Sequence, residues 1–67
     1  MRSKELRAVV VIQQGDATMK AMYLATGTGK SNDDCEAAAW RKVKRQIREH
    51  HPGATFRVRS LYYAEAV

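Results

Sequence analysis

The chain has 67 residues and a single cysteine, which leaves room for one domain with one thin core. A lone Cys35 cannot close an internal disulfide, and no run approaches the ~18 apolar residues needed to cross a bilayer, which excludes disulfide scaffolds and helical membrane spans. Twelve lysines and arginines against seven aspartates and glutamates give +5, a balance that favours anionic partners.

The N-terminal stretch from Met1 to Glu5 is polar and lacks the apolar segment of a signal peptide, so a soluble cytoplasmic protein without a membrane partner is expected. Leu6 to Gln14 (LRAVVVIQQ) is rich in β-branched residues, with apolar side chains in both phases of the alternation. That pattern suits a strand flanked on both sides by other strands. Gly15-Asp16 supplies turn chemistry, and Ala17 to Thr26 follows as a second strand, so the two read as a hairpin. Gly27-Thr28-Gly29-Lys30 reads as a glycine-containing loop, and Ser31 caps the helix after it, with Asp34 three residues on completing a capping-box pattern. The helix runs to about His50, where Pro52-Gly53 stops it. Within it Cys35, Ala39, Val43 and Ile47 recur every four residues with Trp40 beside them, one apolar stripe for packing on a sheet. Ala54 to Tyr63 alternates as a third strand, with Phe56 and Val58 pointing one way and Arg57 and Arg59 the other.

These elements predict an α+β domain of ββαβ type over residues 1–67. The expected sheet is antiparallel, in the order 2-1-3, with the most apolar strand in the middle and the helix on one face. The other face would carry Arg7, Val9, Val11, Met22, Leu24, Arg57, Arg59, Leu61 and Tyr63. Such a half-apolar patch marks an interaction surface. Arg7, Val9, Val11, Leu61 and Tyr63 are the expected sheet interface, for a homodimer or for a larger protein.

Thr26 to Ser31 lacks the first glycine of a phosphate-binding Walker loop, because Leu24 occupies that place. Together with Asn32 to Ala39, the segment resembles the C-terminal half of the double-stranded-RNA-binding domain. In that family a strand leads through a Gly-x-Gly-x-Ser loop into an alanine-rich helix, and Gly27, Gly29, Ser31, Ala38 and Ala39 match it. The resemblance covers roughly Val9 to Ile47 and implies the local strand–loop–helix geometry. Where the family places phosphate-gripping lysines, this chain has Asn32, Asp33 and Glu36.

Its own cations lie further along. Arg41, Lys42, Lys44, Arg45 and Arg48 share the helix, and four of them (Arg41, Lys44, Arg45 and Arg48) span one arc away from the apolar stripe. The helix dipole explains the first-turn acids and the last arginine. It does not explain Arg41/Arg45 and Lys44/Arg48, like-charge pairs that each cost roughly 0.2–0.5 kcal/mol. Only Arg45 has an acid four residues away, Glu49. With Lys30, Arg57 and Arg59, these residues are the candidate contacts to nucleic acid or another acidic partner. Arg57, Arg59, Tyr62 and Tyr63 form a basic-aromatic group suited to stacking bases or to a protein interface. His50 and His51 diverge at the helix end with no third ligand at a suitable spacing, so no metal or cofactor is expected. No nucleophile–base arrangement stands out, and an enzyme is not expected. The resulting expectation is a small non-catalytic module that binds DNA or RNA through a basic helix face. The alternative is an adaptor or inhibitor, of the kind found among phage and mobile-element accessory proteins, docking on a larger protein through the open sheet and the helix.

Overall fold

The computed structural model describes residues 2–65. Its elements are β1 (Arg2–Gln14), β2 (Ala17–Gly29), α1 (Asn32–His50) and β3 (Thr55–Glu65). β1 lies between its two antiparallel neighbours in the order β2-β1-β3. The two apolar phases of β1 divide accordingly. Leu6, Ala8, Val10 and Ile12 are fully buried toward α1, whereas Val9 and Val11 are half-buried on the opposite face. Against the first set pack Ala39, Val43 and Ile47 of the predicted helix stripe, together with Tyr23 and Ala25 of β2, and Cys35, the first residue of the stripe, is fully buried as well.

Local chemistry sets the element ends. Gly15, at φ 60, is the first central residue of a two-residue turn closed by the Gln14–Ala17 pair. Glycine adopts a positive φ without steric cost, and two-residue hairpin turns favour it at that place. The Ser31 hydroxyl accepts from the Asp34 amide at 3.2 Å, capping α1. At the other end the His51 amide donates to the Ile47 carbonyl at 2.8 Å. The Ala54 amide then donates to the His51 carbonyl at 3.1 Å, with Pro52 and Gly53 (φ 77) between them. Proline followed by a left-handed glycine is the pattern of a type II turn.

β1 begins at Arg2 rather than Leu6, its added residues pairing with the far end of β2. Two further features depart from the sequence reading. The first is that β2 continues to Gly29, so the glycines expected in a loop belong to the strand. A β-carbon on Gly27 would collide with the Cys35 carbonyl oxygen and sit 2.5 Å from the Ala39 amide nitrogen. One on Gly29 would lie 2.5 Å from Asp34 Cβ. Both glycines are therefore the seam at which helix backbone meets strand backbone.

The second departure lies in β3. Val9 pairs with Ser60 and Val10 with Val58, leaving Arg59 as an extra residue in a bulge. Beyond the bulge the alternation changes phase. Leu61 pairs with buried Ala8 and Tyr63 with buried Leu6, so both stand on the helix side of the sheet rather than on the open face expected for them. Tyr62, opposite Arg7, takes the open-face place. α1 packs over β2 and β1 and scarcely reaches β3. Val58 and Leu61 consequently remain 42% and 46% exposed even on the helix side.

Candidate nucleic-acid interface

The roll of α1 about its own axis is held from several directions. Lys4 of β1 reaches Glu36 at 3.0 Å, and Arg2 donates to the Asn32 side chain at 3.2 Å. The Cys35 thiol donates to the Arg2 carbonyl at 3.2 Å, and Lys42 donates to the Thr26 carbonyl at 2.6 Å. The glycine seam adds backbone contact on the same side. With the stripe from Cys35 to Ile47 turned inward, Arg41 and Arg48 lie roughly opposite it, flanked by Lys44 and Arg45.

The outer surface of α1 forms a shallow groove of about 430 Å³ lined by Ala38, Arg41, Lys42, Lys44, Arg45 and Arg48. All five basic residues are exposed, and no acid lines the groove. Two of the cations are engaged within the fold: Lys42 at Thr26, and Lys44 5.7 Å above the Trp40 ring. Trp40 is itself half-buried, edge-on to Phe56 at 6.2 Å. Among the described residues the ion pairs are Lys4–Glu36 and Arg7–Glu5, so Arg41, Arg45 and Arg48 have no carboxylate partner. Glu49, four residues from Arg45, does not pair with it.

Lys30 is exposed in the short connection between β2 and α1 and is not brought into the groove. Arg41 lies nine residues into α1, ~13 Å along the helix axis from its start. The acids Asp33, Asp34 and Glu36 fall between Lys30 and the groove in sequence. The helix start that would meet phosphate in the resembled family is thus acidic here, and positive charge is confined to the C-terminal half.

The open face of the sheet divides into two parts. Met22, Leu24 and Tyr62 are 66%, 51% and 60% exposed around Val9 and Arg7. Glu5 accepts from Arg7 at 2.8 Å and raises the guanidinium pKa above its ordinary value by hydrogen bonding and charge attraction. Toward the hairpin turn, Lys20, Val11 and Arg57 form one row across β2, β1 and β3. With Arg59 they line a second cleft of about 460 Å³. Lys20 was not singled out in the sequence, where it stands alone in β2; only the strand register sets it across from Arg57.

Tyr63 belongs to neither surface. It is half-buried against the core, with Lys4 Nζ 5.9 Å from its ring centre. Burial, and secondarily the Glu36 carboxylate, push its phenol pKa above the usual range. His50 stacks on Tyr23 at 6.1 Å. Among the described residues no three His, Cys, Asp or Glu side chains converge on a common point. No helix among the described residues is long and apolar enough to cross a membrane.

The chain matches no family model, no curated protein and no solved structure. Its own geometry is therefore what bears on function.

Proposed function

We propose that the protein is a small non-catalytic module that binds nucleic acid, DNA or RNA, along the outer face of α1. The observation behind this reading is the acid-free groove in which five exposed cations of one helix stand together. Self-repulsion among Arg41, Arg45, Lys44 and Arg48 is relieved when phosphates lie between them. The fold leaves the arginines of this face unobstructed, and of the groove cations it is Lys42, at the edge, that reaches back to the sheet at the Thr26 carbonyl. No aromatic ring lines the groove, so it offers phosphate contact without a stacking platform for bases. Binding should accordingly be indifferent to sequence.

The test is fluorescence anisotropy against duplex DNA, duplex RNA and single strands over a series of salt concentrations. With about four phosphates engaged on duplex DNA, log Kd against log salt should have a slope of magnitude about 3 to 4. Arg41→Glu with Arg45→Glu should weaken binding by about tenfold or more while leaving the far-ultraviolet circular dichroism unchanged. Binding that ignores this double reversal would remove α1 from the interface.

A second reading is favoured by the apolar half of the open sheet. Exposed Met22, Leu24 and Tyr62 suit an adaptor that docks on a larger protein or on a second copy of itself. Such an interface would tolerate salt, and it would weaken on Met22→Ser with Leu24→Ser rather than on loss of the arginines.

A further inference from the structure

The cleft on the sheet stands apart from the helix groove in a way that changes what one copy can do. Lys20 and Arg57 sit on the two outer strands, opposite each other across Val11. Each lies one strand spacing, ~4.8 Å, from the centre of the sheet. Both are long enough to lean over the Val11 floor toward one another. Arg59 joins them because the bulge lifts it out of the ladder to β1. All three are exposed, none is in an ion pair, and no acid lines the cleft. The carboxylate nearest in sequence order on that face of β1, Glu5, is three pleats away and occupied by Arg7.

This cleft faces away from α1, because Val11 and Arg57 belong to the phase of the sheet opposite the buried row Val10 and Ile12. The two acid-free basic surfaces therefore lie on opposite sides of a two-layer domain. A stiff duplex lying along one side cannot reach the other. We infer that the sheet cleft is a second phosphate-backbone site, and that a single copy holds two separate stretches of nucleic acid, one on α1 and one on the sheet. This inference rests on the nucleic-acid reading of the helix face. It adds bridging to it, and a helix face alone gives none.

Bridging is measured directly. A biotinylated duplex DNA is fixed on beads, the protein is added, and capture of a second, fluorescent duplex is read. Anisotropy with one duplex, run in parallel on the sheet-cleft variants, reports the helix site. The wild-type protein should capture the second duplex. Lys20→Glu with Arg59→Glu should lower capture by about tenfold or more, because two of three cations of that site change sign, while the helix still binds one duplex. Lys20→Gln with Arg59→Gln should lower it less, with the salt slope of capture reduced by about 2. Undiminished capture by the charge-reversed variant would overturn the inference and place the second duplex on the helix of another copy. Single-duplex binding with no capture by the wild type would overturn it while leaving the helix reading intact. Failure of the wild type to bind any duplex would overturn both.

Discussion

At Gly27 the strand passes so close beneath α1 that the missing side chain is what the packing requires. Gly27→Ala puts a methyl group against the Cys35 carbonyl and the Ala39 amide, both of them backbone that cannot swing aside. Forcing extra volume into such contacts costs about 1–3 kcal/mol. A chain of 67 residues has roughly 3–10 kcal/mol in total. The variant should therefore lose a large part of its stability, read as a lower urea midpoint. Tyr63 makes stability depend on pH. Its folded pKa is raised above the ordinary value of about 10, so its contribution is complete below pH ~10 and is lost as pH rises beyond that through the folded value. Stability measured across the alkaline range should fall there, and Tyr63→Phe should flatten that part of the curve.

Among the elements, β1 and α1 were legible because each has one simple periodic demand to satisfy. A middle strand must be apolar toward its neighbouring layer and tolerable on the other face, and LRAVVVIQQ is both. The helix repeats its buried residue every four positions, which also sets where Arg41 and Arg48 point. β3 was half legible. Its alternation holds through Val58 and then reverses, since Arg59 takes no partner on β1. Nothing in the string TFRVRSLYY marks that extra residue, as no glycine or proline stands there. Leu61 and Tyr63 were misplaced for this reason alone. The end of β2 was misjudged for a different one: Gly27 and Gly29 suggest a loop when read locally, and only the docked helix shows that they permit contact. The internal commitments of Lys42 and Lys44 were equally hidden, because Thr26 and Trp40 become their partners only after folding.

For the molecule as a whole, shape and charge follow from the long hairpin. The Cα extents are 42 × 18 × 16 Å, and the long dimension is about that of a fully extended 13-residue strand. Along this narrow body the two basic surfaces face opposite ways, and the apolar part of the open face lies beside one of them. The same layering encloses the only sulfhydryl. Cys35 is 0% exposed beneath the helix start, its hydrogen directed to the Arg2 carbonyl. A thiol reagent can modify it only when α1 lifts from the hairpin. The rate of labelling under native conditions thus counts those openings. It should rise sharply in Gly27→Ala and fall with any ligand that binds the folded form alone, so one sulfur atom serves as a clock for the whole fold.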